Sequence, residues 1–201
     1  MNIVLDMDNT LIASDSTNIY PRPFLVPFLK FCFENFRTVS IWTAAEESWF
    51  NIVNKFVFQP ILTQLSQQLH KQCKFYFVLT RPSVKFVYTS HTSKLGQQNL
   101  GQQNLGQQNV GQQNVVMIKD LNDIWRKPLT YPGFTMGNTV IIDDIPETFS
   151  NNKCNGIWIT PFYGNPNDTK LLEMINHLRG TLGPDKRASP RPPDRSAHLM
   201  I

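Results

Sequence analysis

The chain has 201 residues, 41% of them hydrophobic, with a formal net charge of +4 and a sequence pI near 9.0. This length predicts one domain and some extra chain, and with no Lys/Arg run or basic–aromatic stripe, direct nucleic-acid binding is not expected. No apolar stretch reaches the ~20 residues that span a bilayer, acidic residues stand at positions 6 and 8 where a secretory signal would be apolar, and Cys32, Cys73 and Cys154 lack C-x-x-C spacing, so a protein of the cytoplasm or nucleus, away from membranes and with reduced thiols, is expected.

Asn2–Leu5 reads as a short buried strand, and the proline-bearing stretch Asp15–Pro27 as a loop or flap leading into a helix over Phe24–Phe36. Thr38–Trp42 is the second strand. Glu46–Val57 has an amphipathic helical pattern, and beyond Pro60 a second helical piece runs over Ile61–His70. Phe75–Leu79 follows as a strand, Lys85–Thr92 as a hairpin arm, then the strands Val115–Ile118, Thr139–Ile142 and Gly156–Thr160. The last helix spans Thr169–Arg179, with Gly180 as its C-cap. Strands alternating with helices predict a parallel sheet covered on both faces.

Two segments depart from this pattern. Residues 96–115 are four tandem pentapeptides of the form Gly-Gln-Gln-Asn-(Leu/Val). A period of five fits neither helix nor strand, so a flexible insert is expected. Beyond Gly180, residues 181–201 carry Pro184, Pro190, Pro192 and Pro193 without apolar periodicity, and this tail is expected to be disordered.

Four polar groups follow apolar runs: Asp6 and Asp8 after Ile3–Leu5, Thr43 after Trp42, Lys119 after Ile118, and Asp143–Asp144 after Ile142. Singly, each has an ordinary reading. Thr43 could cap the helix that begins near Glu46, Lys119 could be a solvated charge, and Asp143–Asp144 could be a turn. Together they supply what phosphoryl transfer needs. One carboxylate can attack phosphorus while its neighbour handles protons, and Mg²⁺ can offset the crowding of negative charge. In a parallel sheet such groups gather beyond the carboxyl ends of the strands.

The ordered set Asp6-Met7-Asp8-Asn9-Thr10, Trp42-Thr43-Ala44, Lys119-Asp120-Leu121 and Asp143-Asp144-Ile145-Pro146, closed by Asn167-Asp168-Thr169-Lys170-Leu171-Leu172, resembles the haloacid dehalogenase (HAD) superfamily. More narrowly it resembles the phosphatases that act on the RNA polymerase II C-terminal repeat domain. The resemblance covers residues 1–180 outside 96–115. It implies an α/β, Rossmann-like fold with a small β-hairpin insertion and no large cap domain, and an aspartyl-phosphate mechanism. Asp6 would be the nucleophile and Asp8 the acid and then the base. Thr43 and Lys119 would hold phosphoryl oxygens. Asp6, Asp8 (through its backbone carbonyl), Asp143 and Asp144 would surround Mg²⁺. Thr10 would brace the Asp6–Asp8 loop. Asp144 departs from the family's usual Asn at that position.

The spacing adds a point about substrate size. The gaps 7–42 and 120–142 are too short to hold a lid domain, so an open site is expected, suited to a phosphoserine or phosphothreonine on a polypeptide. Arg81 and the arm Phe86–Tyr88 could flank such a peptide. A monomer is expected. A small-molecule or nucleotide phosphatase of the same superfamily, or a catalytically idle binding module, are the other readings.

Overall fold

The computed structural model of the protein describes residues 1–90 and 113–182. Its centre is a five-stranded parallel sheet in the order β5-β4-β1-β8-β9, formed by β1 (Asn2–Leu5), β4 (Thr38–Trp42), β5 (Val78–Leu79), β8 (Thr139–Asp143) and β9 (Gly156–Trp158). β1 is the middle strand, with Leu5 in register with Ile41 on one side and Ile142 on the other. All four of its residues are buried, as expected for a strand with neighbours on both edges and cover on both faces.

Alternation along the strands divides the core in two. Ile3, Leu5, Val39, Ile41 and Ile142 face the long helices: α1 (Leu25–Asn35), α2 (Glu47–Val53), α3 (Gln59–Gln68) and α5 (Lys170–Leu182). Val4, Trp42 and Ile141 face the other way, against α4 (Asn122–Trp125), Phe134 and Phe149. The second face is therefore covered by one short helix, a 3₁₀ segment (Pro146–Asn155) and loop, rather than by long helices. Two small antiparallel ribbons stand outside the sheet. They are β2 (Ile12–Ser14) with β3 (Ile19–Pro21), and β6 (Lys85–Ser90) with β7 (Gln113–Ile118). No large cap domain is present among the described residues.

Several sequence expectations are corrected. Pro60 does not separate two helices. A π-helical stretch, Asn54–Phe58, joins α2 to α3, and the N–H of Gln59 donates to Asn54 O five residues back. The wider turn lets the helical run continue through a residue that has no N–H to give. Gly180 is not a C-cap, because α5 runs on to Leu182, whose side chain is buried. Val115–Ile118 is no strand of the parallel sheet; it belongs to β7, which pairs antiparallel with β6. Of the expected insert, 96–112 lies outside the described residues, and 113–115 opens β7. Of the expected tail, Thr181 and Leu182 are helical and 183–201 lies outside the described residues.

Arg22 ties the flap to the rest. Its guanidinium is buried and donates to both carboxylate oxygens of Asp168, at 2.8 and 3.0 Å, to Thr10 O at 3.0 Å and to Thr160 O at 2.7 Å. It also lies 5.3 Å from the centre of the Phe162 ring. The start of α1, the Asp6–Thr10 loop, the exit of β9 and the start of α5 thus meet on one side chain.

Candidate active site

The chain leaves β1 through a tight turn. Asp6 N–H donates to Ile142 O at 2.9 Å, and the N–H groups of Leu11 and Ile12 both return to Met7 O. Asn9 sits inside this turn with φ of 57°, a left-handed conformation that asparagine tolerates better than most residues. The turn gives the two aspartates different surroundings.

Asp6 points into a buried cluster. Lys119 Nζ lies 2.5 Å from Asp6 Oδ1 and 2.7 Å from Asp143 Oδ2. One carboxylate oxygen each from Asp6, Asp143 and Asp144 can be chosen so that all three lie within 4.8 Å of one another. Lys119 is held from behind by its N–H, which donates to Thr148 O at 2.6 Å. Asp143 Oδ1 accepts from Ile145 N–H at 2.9 Å, and Asp144 Oδ1 accepts from the Thr10 hydroxyl at 3.3 Å. The Thr10 hydroxyl, expected to brace the Asp6–Asp8 loop, reaches across to Asp144.

Asp8 faces elsewhere. One oxygen accepts from the Thr43 hydroxyl at 3.1 Å and the other from the Trp49 indole N–H at 2.8 Å. The Thr43 hydroxyl in turn accepts from Ala45 N–H at 3.0 Å. Thr43 therefore caps a turn rather than a helix; α2 begins at Glu47 with Glu46 at its N-cap. The Asp8 carboxylate is not part of the three-carboxylate cluster.

Electrostatics follow from this packing. Burial raises the Asp6 carboxyl, Lys119 opposes the rise, and Asp143 and Asp144 add to it, leaving it pushed up to about 7. Asp144 is also raised, by burial first and then by Asp143. Burial alone would lower the Lys119 ammonium, but Asp6 and Asp143 more than offset it and hold it above its ordinary value. Three carboxylates against one ammonium leave negative charge uncompensated in a poorly solvated place. Oxygen-only donors carrying excess negative charge suit a hard divalent cation such as Mg²⁺.

The structure brings Asp6, Lys119, Asp143 and Asp144 together and sets Asp8 and Thr43 beside each other. Lys119 reaches the cluster from the end of a separate ribbon rather than from the parallel sheet. Nothing in the sequence pattern marks Trp49, Arg22 or Trp158 as neighbours of this site. Trp49 follows a helix-start signal, and Trp158 lies within an expected strand, so both resemble ordinary core residues. Trp158 Nε1 donates to Asp144 O at 2.9 Å. Arg81, expected to flank a peptide, stacks over Phe86 at 5.5 Å and approaches Glu46 at 3.5 Å.

The family described as NLI interacting factor-like phosphatase matches residues 1–85 and 55–188 in two overlapping stretches. The chain belongs to this family. It is 28% identical over 185 residues to the ubiquitin-like domain-containing CTD phosphatase 1 of Danio rerio, and 26% identical to that of Homo sapiens, covering 88% of this chain and 48% of each relative. The chain thus spans about half the length of the curated relatives it matches. Among solved structures it is similar to fission yeast RNA polymerase II CTD phosphatase Fcp1 with beryllium fluoride bound, at a TM-score of 0.45 and 17% identity, covering 88% of this chain and 49% of that one. No helix among the described residues is long and apolar enough to cross a membrane.

Proposed function

We propose that the protein is a Mg²⁺-dependent protein serine/threonine phosphatase that works through an aspartyl phosphate on Asp6. The observation that carries this reading is the buried convergence of Asp6 and Asp143 on Lys119, at 2.5 and 2.7 Å, with Asp8 two residues away held by separate donors. An Asp6 oxygen attacks phosphorus in line, forming the new O–P bond as the bond to the seryl or threonyl oxygen breaks. Asp8, protonated at that moment, gives its proton to the leaving oxygen. It then takes a proton from the water that attacks the intermediate, releasing phosphate and restoring the Asp6 carboxylate.

Lys119, and the Thr43 hydroxyl once it turns from Asp8, hold phosphoryl oxygens, whose charge must be balanced throughout transfer. Asp6, Asp143 and Asp144, with the Asp8 backbone carbonyl, would hold Mg²⁺. The ion supplies positive charge against the crowding of carboxylate and phosphate.

A phosphoserine or phosphothreonine followed by proline in an extended peptide fits best, the RNA polymerase II C-terminal repeat among such substrates. Short connections around the site, and relatives named as CTD phosphatases, support this. The reading extends to a monomer with one folded domain formed by residues 1–90 and 113–182, acting in the nucleus or cytoplasm on protein rather than on nucleic acid or membrane. The test compares hydrolysis of phosphoserine peptides, with and without the following proline, with that of nucleotides and sugar phosphates. Faster peptide turnover is expected. Faster turnover of the small molecules would overturn the substrate assignment.

A further inference from the structure

The four tryptophans of the chain are treated differently. Trp42 is buried although its indole N–H finds no partner, and the buried N–H of Trp125 is likewise unpartnered. Trp158, by contrast, keeps 53% of its surface exposed while its N–H is bonded to Asp144 O. It ends β9, in register with Asp143. A large flat ring is thus pinned at the rim of the carboxylate cluster with half of its surface facing solvent. Tyr163 is 80% exposed on the segment leaving β9, and the Tyr20 ring lies within 4 Å of the position a side chain would take at Gly164. That segment is fixed to the Asp6–Thr10 loop, since Phe162 N–H donates to Asn9 O at 2.7 Å.

We propose that Trp158 is a specificity-determining residue, a stacking platform for a proline or aromatic residue that flanks the phosphorylated residue of a peptide substrate. This rests on the phosphatase reading above. Aromatic side chains supply large contact area at low conformational cost, and their faces attract other rings. The charges favour a peptide over a nucleic acid. Segments 8–21 and 156–169 contain no Lys or Arg, and they include Asp8, Asp15 and Asp168. The cations just beyond these segments are already paired, Arg22 with Asp168 and Lys170 with Glu173, so stacked bases would bring backbone phosphates to a wall that offers them little positive charge.

A structural role is the competing account, in which Trp158 only braces the Asp143–Asp144 turn through its N–H. The two accounts separate in the ratio of kcat/KM for phosphopeptides carrying Pro or Tyr next to the phosphoserine to that for the alanine-flanked peptide. Any general loss of activity cancels in this ratio. In wild type the ratio is expected to be about 3 to 10, the size of one ring–ring contact. Trp158→Phe, which keeps a ring and loses the N–H, should retain most of the preference, whereas Trp158→Leu should bring the ratio close to one.

Binding of the same peptides to Asp6→Asn protein, with and without Trp158→Leu, gives a readout independent of turnover. Ring-selective binding that needs Trp158 supports the platform even if wild type hydrolyses none of the peptides, a result that would sink the phosphatase reading alone. Equal ratios in wild type and Trp158→Leu overturn the platform while leaving the phosphatase reading intact. So does tighter binding of a single-stranded oligonucleotide than of any peptide.

Discussion

Replacing Arg22 by Met tests how the Asp6–Thr10 loop is held. Arg22 is 1% exposed, and its partner Asp168 retains 12% side-chain exposure. Substitution removes the two-pronged pair and leaves the Thr10 and Thr160 carbonyls without their donor. Breaking a buried ion pair from one side costs about 3–5 kcal/mol, mostly the stranded charge. Because Asp168 keeps some contact with water, the low end applies, about 3 kcal/mol. For a domain of this size that is a fall of roughly 6–12 °C in Tm. Thermal unfolding of wild type, Arg22→Met and Arg22→Met/Asp168→Asn should show the single variant lowest, with part of the loss recovered in the double variant.

The pH dependence has a definite sign. Burial pushes the Asp168 carboxyl up, but hydrogen bonds from Arg22 and Lys170 N–H outweigh it and hold it below the ordinary 3.8. A depressed carboxyl contributes stability that is complete above the unfolded value and is lost as pH falls through the folded one. The gap between wild type and Arg22→Met should therefore persist near neutrality and narrow below pH 3.8. A Tm within about 2 °C of wild type, or a double variant no better than the single, would refute the reasoning.

Lys119→Met leaves Asp6, Asp143 and Asp144 clustered without a cation, so metal-free protein should lose about 3–5 kcal/mol. Added Mg²⁺ should raise the Tm of this variant more than that of wild type in differential scanning fluorimetry, and turnover should be lost. Joining Ser90 to Gln113 by an Asn-Gly turn should leave Tm unchanged or slightly raised and activity close to wild type. The ribbon register already brings these two residues opposite each other, and a shorter connection costs less to close. Circular dichroism and a phosphopeptide assay would check both outcomes.

The sheet was legible because Ile3–Leu5, Ile41–Trp42 and Val140–Ile142 are short apolar runs followed directly by polar residues. Asp6, Lys119 and Asp143 could be picked out for the same reason. Chemistry-bearing side chains at strand ends stand out against apolar neighbours. The partners of these residues were less visible. Nothing in the spacing of Trp49 says that its N–H reaches Asp8, since that contact depends on the angle at which α2 leaves the Thr43 turn. Asp168 belongs to the closing Asn167–Leu172 motif, but its partner Arg22 lies 146 residues away, and only the folded chain pairs them. Pro60 and Gly180 misled for a simpler reason. Both are local breakers, and the packed faces of α3 and α5, with Leu62, Leu65, Leu178 and Leu182 buried, override local preference.

The central claim is that Asp6 carries the phosphoryl group. Rapid acid quench during turnover of a phosphoserine peptide, followed by borohydride reduction and peptide mass spectrometry, reads this out directly, because an aspartyl phosphate is reduced to homoserine. Homoserine at position 6 in wild type, and no turnover in a folded Asp6→Asn protein, is the predicted result. Reduction at Asp8 or at no residue, together with wild-type-like turnover by Asp6→Asn, would contradict it.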